Sequence, residues 1–254
     1  MKSRPFKNSL STGSLNWKDS DMETAFKIKA GPGRAFIKKI MNGSVKPLLT
    51  AYLSKERAYR YKDVSITILP GVFHPGFFHS TKLLLAVVEK MNLAGKKFLE
   101  LGAGSGLIAI VAAQRGAKVL ASDVSSKAVE NIKRNEALTG VEIEIVKSDL
   151  FKNIPQQVFD VVVINPPYYD RKIVKDEDFA WYTGEGHDYF EQLFAGLPSY
   201  IHAESEVRMV LSDDARLEFI SGIAASHHFE MKIIMEKRTF RERHFVFELK
   251  LNRK

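Results

Sequence analysis

The stretch FLELGAGSG, residues 98–106, decides the fold. Its first residues complete a short buried strand predicted over Lys97–Leu101, and its last residues open a helix predicted over Gly104–Arg115. Three glycines allow the chain to turn tightly and allow a ligand to approach the backbone, where the start of the helix presents free N–H groups. We therefore expect a nucleotide-like ligand at the carboxyl end of this strand.

Strands alternate with helices on both sides of the glycines, which predicts a parallel sheet covered on both faces. The last two strands have no helix between them, which predicts an antiparallel pair at one edge. We expect an α/β fold with a Rossmann-like, seven-stranded, mostly parallel sheet. The predicted strands are Val64–Leu69, Lys97–Leu101, Lys118–Ser122, Val141–Val146, Val158–Ile164, Val207–Leu211, Phe229–Glu236 and His244–Leu251. The predicted helices are Ser80–Met91, Gly104–Arg115, Ser125–Ala137, Asp188–Ile201 and Asp213–Ser226.

The positive charge lies in the first quarter of the chain. The 254 residues carry a net charge of +8, but residues 1–62 alone hold 14 Lys or Arg against four Asp or Glu, which leaves residues 63–254 at −2. This division predicts a basic N-terminal arm at 1–62 and an α/β domain at 63–254. Within the arm, short helices are predicted at Arg34–Met41 and Val45–Arg60.

Composition excludes several classes of protein. The chain has no cysteine, which excludes disulfides, thiolate metal sites and a cysteine nucleophile. Its seven histidines show no metal-binding spacing, so no metal is expected. No apolar stretch approaches the roughly 20 residues that span a bilayer, and the N-terminus lacks the apolar core of a secretory signal. We expect a cytoplasmic protein without a membrane partner.

The spacing of the glycines distinguishes between nucleotide ligands. A dinucleotide fingerprint is GxGxxG, whereas this chain has an E-x-G-x-G-x-G pattern. That pattern resembles motif I of class I S-adenosylmethionine-dependent methyltransferases, which implies S-adenosylmethionine as the cofactor. By the same resemblance, Asp123 after the next strand would accept the ribose hydroxyls, and Asp149 after the third would mark the adenine edge. Asp123 could instead cap the helix that begins near Ser125. The cofactor residues implied by these motifs are Glu100, Gly102, Gly104, Gly106, Asp123 and Asp149.

A second motif follows the strand Val158–Ile164. The residues Asn-Pro-Pro-Tyr-Tyr at 165–169 resemble motif IV of methyltransferases that act on planar nitrogen. In such a site the Asn side-chain oxygen and the carbonyl of the first proline accept the two N–H groups of the acceptor, while the aromatic ring stacks on it. The resemblance implies that Asn165, which also borders the cofactor, Pro166, Pro167 and Tyr168 are catalytic, and that Tyr168 and Tyr169 bind substrate.

The loop over residues 69–81 precedes motif I. In related methyltransferases such a loop lies over the methionine end of the cofactor, which makes Thr81 a candidate cofactor residue. His74 and Phe78 are candidate substrate residues. Thr81 could equally be an ordinary residue in the first turn of the helix.

The substrate is left open between two classes. Residues 180–188 resemble a segment of the release-factor glutamine N5 methyltransferases, the HemK family, which implies the side-chain amide of a glutamine in a protein such as a translation factor. The alternative is N6-adenine or N2-guanine methylation of RNA or DNA, because these amines have the same planar shape. A non-catalytic cofactor-binding module is a further alternative. The basic residues available to a nucleic acid are Lys38, Lys39, Lys55, Arg57, Arg60, Lys62, Arg171, Lys172 and Lys175.

Tyr52, Tyr59 and Tyr61 are interleaved with the basic residues of the predicted helix Val45–Arg60. Aromatic and basic residues in alternation could contact nucleic acid. The interpretation we favour is that the tyrosines pack the helix onto the following domain, with the basic residues in water.

Overall fold

The computed structural model describes residues 52–77, 79–167, 188–239 and 242–252. In this part of the chain the strands are β1 (Arg57–Tyr61), β2 (Val64–Ile68), β3 (Lys97–Leu101), β4 (Lys118–Asp123), β5 (Ile143–Lys147), β6 (Phe159–Ile164), β7 (Ile201–Ser212), β8 (Phe229–Arg238) and β9 (Arg243–Leu251). The α-helices are α1 (His79–Val88), α2 (Leu107–Gln114), α3 (Ser126–Thr139), α4 (Asp188–Gly196) and α5 (Leu217–Ser226). A 3₁₀ turn, Leu197–Tyr200, joins α4 to β7.

Seven of the strands form one sheet in the order β5-β4-β3-β6-β7-β9-β8. The first five are parallel, and β9 pairs antiparallel with both β7 and β8. The prediction of a mostly parallel sheet with an antiparallel C-terminal pair is confirmed. Because parallel strands end at one edge, the segments that follow β3, β4, β5 and β6 meet there.

Helices cover both faces of the sheet. Successive strand residues point to opposite faces, so Leu99 and Phe98 of β3 belong to two different hydrophobic clusters. The Leu99 cluster is closed by α4 and α5, whereas the Phe98 cluster is closed by α1, α2, α3 and β2. Burial on both faces explains why β6 is apolar apart from Asp160.

A two-stranded antiparallel hairpin, β1 and β2, packs beside the sheet, with Tyr61 paired with Val64. The helix predicted over Val45–Arg60 is therefore wrong from Ser54 onward, because the described helical residues end at Leu53 and β1 begins at Arg57. Tyr59 and Tyr61 alternate toward the core and pack against the Phe98 cluster, as a strand with period two requires. The favoured interpretation, that tyrosines pack onto the following domain, holds for these two residues. The helix predicted at Arg34–Met41 lies outside the described residues.

Two predicted helices are shorter in the structure. The helix expected over Asp188–Ile201 ends at Gly196, because Pro198 lies in the 3₁₀ turn and β7 begins at Ile201. The helix expected from Asp213 begins at Leu217. Among the described residues, no helix has the length and apolar character needed to cross a membrane.

Candidate active site

The glycine loop, residues 102–106, joins β3 to α2 at the carboxyl edge of the sheet. Its three glycines adopt φ values of 72°, 54° and 76°, which disfavour residues with a Cβ. The amides of Gly102 and Ala103 both donate to the carbonyl of Ser122 at the end of β4, at 2.9 and 3.0 Å. A Cβ added at Gly106 would lie 3.1 Å from Ile132 of α3, so close packing also requires glycine there. This backbone cradle fits the nucleoside of the expected cofactor.

Asp123, the last residue of β4, is bonded to the glycine loop. One carboxylate oxygen accepts from the amide of Gly104 at 2.8 Å, and the other accepts from the amide of Ser125 at 2.9 Å. The N-cap of α3 is Ser125, whose side chain accepts from Ala128. Asp123 therefore sits beside the loop that the cofactor would contact, instead of serving as the helix cap.

Glu100 lies beneath the glycine loop and is buried. Its carboxylate accepts from the amide of Ala109 in α2 at 2.7 Å. Burial raises the pKa of Glu100 well above its usual value, although the Ala109 amide opposes the shift and the charge of Asp123 adds to it. The contact that the structure gives Glu100 is thus with helix α2, and its role toward the cofactor stays a prediction.

The loop after β5 brings a third carboxylate to this edge. The amide of Ser148 donates to the carbonyl of Asp123 at 2.9 Å, which holds the loop against β4. Asp149 is exposed and pairs with Lys152 at 2.5 Å. Asp123 and Asp149 therefore lie on neighbouring strand ends, where the motif resemblance places the ribose and the adenine.

Tyr189, at the start of α4, was not identified from the sequence. Its ring packs against the Leu99 cluster. Burial raises the pKa of Tyr189, and the charges of Asp123 and Asp149 raise it further. The phenol therefore stays protonated, and both carboxylates are near enough to affect its pKa electrostatically. An aromatic residue opening the helix after motif IV is the only sequence signal for it.

Asn165, Pro166 and Pro167 follow β6 directly. Asn165 is half-buried and Pro166 is buried. The backbone oxygen of Asn165 lies 3.9 Å from the position of a Cβ built on Gly102, so motif IV and the glycine loop are adjacent. Tyr168, Tyr169 and Phe78, three candidate substrate residues, lie outside the described residues.

The loop between β2 and α1 covers the glycine loop. The Cβ of Phe73 lies 3.8 Å from a Cβ built on Gly104. His74 is buried, with its ring against Tyr59 at 5.5 Å and against Phe77 at 4.8 Å between centroids, and burial lowers its pKa. These contacts give His74 a packing role within its own loop, and its role toward substrate stays a prediction.

Thr81 is buried in the first turn of α1. Its contact with the cofactor stays a prediction. Among the described residues, no group of histidines and carboxylates could hold a metal ion.

Comparisons with known proteins agree with the resemblance of the glycine loop to motif I and of residues 165–169 to motif IV. Residues 63–182 match the family model of the methyltransferase small domain. A Methanocaldococcus jannaschii protein, provisionally named as a protein N5-glutamine methyltransferase, is 32% identical over 157 residues, which cover 59% of this chain and 77% of that protein. Ribosomal RNA small subunit methyltransferase C of Actinobacillus pleuropneumoniae is 35% identical over 117 residues, and the chain spans only 35% of its length.

Solved structures share the fold at low sequence identity. The T. thermophilus 16S rRNA N2 G1207 methyltransferase, determined with AdoMet and guanosine, aligns with a TM-score of 0.56 at 19% identity, covering 77% of this chain and 51% of that one. The E. cuniculi Mtq2–Trm112 complex aligns with a TM-score of 0.55 at 18% identity, covering 72% of this chain and 99% of that one. Together with the family match and the M. jannaschii relative, the glycine loop and motif IV show that the chain belongs to the methyltransferase small-domain family and is an S-adenosylmethionine-dependent methyltransferase.

Proposed function

We propose that this methyltransferase acts on a planar nitrogen, and that its acceptor is the side-chain amide of a protein glutamine. The observation that carries the proposal is the position of Asn165. It follows β6 at the carboxyl edge, and its backbone oxygen lies beside Gly102 of the glycine loop. An acceptor bound at Asn165 would therefore lie next to S-adenosylmethionine, the methyl donor, bound at the glycine loop.

The residues of motif IV suit a weak nucleophile. The lone pair of an amide nitrogen is delocalised, so its reaction depends on orientation. The side-chain oxygen of Asn165 would accept one N–H group and the carbonyl of Pro166 the other, while the two prolines fix the backbone and supply no competing N–H donors. S-Adenosylmethionine supplies an electrophilic methyl group on a sulfonium sulfur. The protein needs no strong base, because the nitrogen becomes acidic only as the methyl group is transferred; catalysis is then largely positioning.

The cofactor residues are assigned by their place around the glycine loop. The carboxylate of Asp123 would accept the ribose hydroxyls, and Asp149 would lie at the adenine edge. Thr81, beneath the covering loop, would lie toward the methionine end, with Glu100 supporting the glycine loop from below. His74 and Phe78, with Tyr168 and Tyr169, are proposed on the substrate side.

Two observations favour a protein acceptor. The M. jannaschii relative shares 77% of its length with this chain and bears the name of a glutamine methyltransferase. The proposed methyltransferase domain, residues 63–254, has a net charge near zero, whereas an enzyme that acts on nucleic acid gains affinity from positive charge that binds phosphates at its site.

The boundary between the proposed basic arm and the proposed domain falls in the turn of the β1–β2 hairpin, at Lys62. Strand β1 of the arm therefore packs onto the domain.

A nucleobase amine is the second candidate acceptor. The ribosomal RNA relatives support it, as does the positive charge of residues 1–62. The planar amine of guanine or adenine would meet the same acceptors on Asn165 and Pro166. A translation factor and a ribosomal RNA are therefore the two partners to be distinguished.

The experiment is methyl transfer from radiolabelled S-adenosylmethionine to an extract from cells lacking the enzyme. Samples of the labelled extract are treated separately with protease and with ribonuclease or deoxyribonuclease before precipitation. Loss of precipitable label with protease alone, and N5-methylglutamine in the hydrolysate, are expected. Loss of label with a nuclease alone would overturn the protein assignment in favour of the nucleobase.

A further inference from the structure

Two buried asparagines on α3 form an unusual contact with the hairpin. Asn131 and Asn135 are both fully buried, on the helix face that also carries Ala128 and Ile132. Asparagine is a poor helix former and is rarely buried, so two of them one turn apart require a structural or functional reason.

Asn135 uses both ends of its amide. Its side-chain oxygen accepts from the backbone amide and the hydroxyl of Thr67, at 2.8 and 3.2 Å. Its side-chain nitrogen donates to the carbonyl of Thr67 at 2.8 Å and to the carbonyl of Ser105 at 2.9 Å. Because Ser105 lies in the glycine loop, one side chain connects β2 to the loop that holds the cofactor.

Asn131 bonds to the same strand but not to the glycine loop in the structure. Its oxygen accepts from the amide of Leu69 at 2.9 Å, and its nitrogen donates to the carbonyl of Thr67 at 2.8 Å. The two asparagines thus provide hydrogen-bond partners for the backbone of Thr67 and Leu69, on the side of this segment that faces away from β1, as a neighbouring strand would. Only Asn135 extends this contact to Ser105.

The contact lies where the covering loop begins. β2 ends at Ile68, and Phe73, five residues later, packs beside Gly104. Ile132, one turn before Asn135 on the buried face of α3, lies against Gly106 of the glycine loop. The glycine loop and the loop that covers it are therefore both held by one face of α3.

We infer that Asn135 is a positioning residue that fixes the glycine loop and its covering loop relative to each other, so that the cofactor site is formed before the cofactor binds. The inference rests on the glycine loop as the cofactor site and not on the identity of the acceptor. Preorganisation of this kind contributes affinity because less ordering is required on binding.

The test compares Asn135→Ala with Asn131→Ala, a matched control that loosens the same strand and leaves the Ser105 contact in place. S-Adenosylhomocysteine affinity is measured by calorimetry, and amide hydrogen exchange is followed over residues 102–106. We expect Asn135→Ala to bind about tenfold more weakly than Asn131→Ala, because a glycine loop without its bond from Asn135 must be ordered when the ligand binds. Exchange in the glycine loop should accelerate in Asn135→Ala and not in Asn131→Ala.

Asn135→Asp keeps the oxygen that accepts from the amide and hydroxyl of Thr67 and loses the donor to the carbonyls of Thr67 and Ser105, so it preserves part of the hairpin contact if the alanine variant fails to fold. It should show the same weak binding and fast exchange. Equal affinities in the Asn131 and Asn135 variants, or unchanged exchange over residues 102–106, would overturn the inference. Absence of S-adenosylhomocysteine binding by the wild-type chain would instead refute the cofactor site itself.

Discussion

Replacing Asp123 with asparagine tests the assignment of the cofactor site. The two carboxylate oxygens accept from Gly104 and Ser125 at 2.8 and 2.9 Å. A carboxylate can accept about four hydrogen bonds, so holding two amides is compatible with accepting the ribose hydroxyls. Asparagine retains one oxygen and sets an NH₂ group against one of the two amide donors.

The size of the expected loss in cofactor affinity follows from the hydrogen bonds that the substitution changes. A hydrogen bond to a charged group contributes about 1.5–3 kcal/mol, and Asp123 is half-buried, so we take the lower part of that range. A loss of about 2 kcal/mol weakens binding of S-adenosylhomocysteine roughly thirtyfold. Calorimetric titration measures this loss directly, and a urea unfolding curve reports the accompanying loss of stability.

Asp160→Asn is the matched control. Asp160 also accepts a backbone amide, from Lys97 at 2.8 Å, but it lies at the opposite end of β3 and β6 from the glycine loop. The control should lose stability and retain cofactor affinity. Binding by Asp123→Asn within about threefold of wild type, or an equal loss in Asp160→Asn, would refute the reasoning.

Three further changes have defined outcomes. Gly196→Ala places a Cβ 2.6 Å from the ring of Phe151, so overpacking should cost about 1–3 kcal/mol in the urea unfolding free energy, and an unchanged value would contradict the packing described. Gly106→Ala would place a Cβ at a φ of 76° and 3.1 Å from Ile132. The variant should therefore have a lower melting temperature and a lower affinity for S-adenosylhomocysteine. An affinity equal to that of the wild type would argue against a cofactor site at the glycine loop. Burial lowers the pKa of His244 in the folded protein to about 4, whereas the ordinary value of 6.5 applies to the unfolded chain. As the pH falls below about 6.5, protons therefore bind preferentially to the unfolded chain, and the stability of the fold decreases until about pH 4. Between pH 7 and pH 5 the wild type should lose about 2 kcal/mol more than His244→Gln, as judged by urea midpoints, and parallel losses would contradict the shifted pKa.

The sequence predicted the elements whose pattern is local. The three apolar residues of β3, followed by three alternating glycines at 102–106, indicate both a buried strand and a turn into a helix. β1 was missed because tyrosines at 52 and 59 are compatible with helical spacing, while the alternation from Arg57 to Tyr61 is only five residues long. A short strand is recognised chiefly by its partner, and here the partner is β2.

The residues that the sequence did not reveal depend on distant contacts. Asn135 is separated by 68 residues from Thr67 and by 30 from Ser105, so its bonds exist only once the hairpin and the glycine loop meet α3. Tyr189 likewise comes within range of the charges of Asp123 and Asp149 only through the packing of α4 against the Leu99 cluster. By contrast, Asp123 and Asn165 follow strands directly, and parallel pairing alone brings them to one edge.

Turnover by Asn165→Ala tests the central claim, methyl transfer to a planar nitrogen positioned by Asn165, most directly. The measurement pairs the rate of methyl transfer to the identified substrate with S-adenosylhomocysteine affinity and with the chemical linkage of the transferred label. We predict nitrogen-linked label with the wild type, and loss of transfer with retained cofactor affinity in Asn165→Ala. Unchanged turnover in the variant, or label linked to oxygen, carbon or sulfur, would contradict the account.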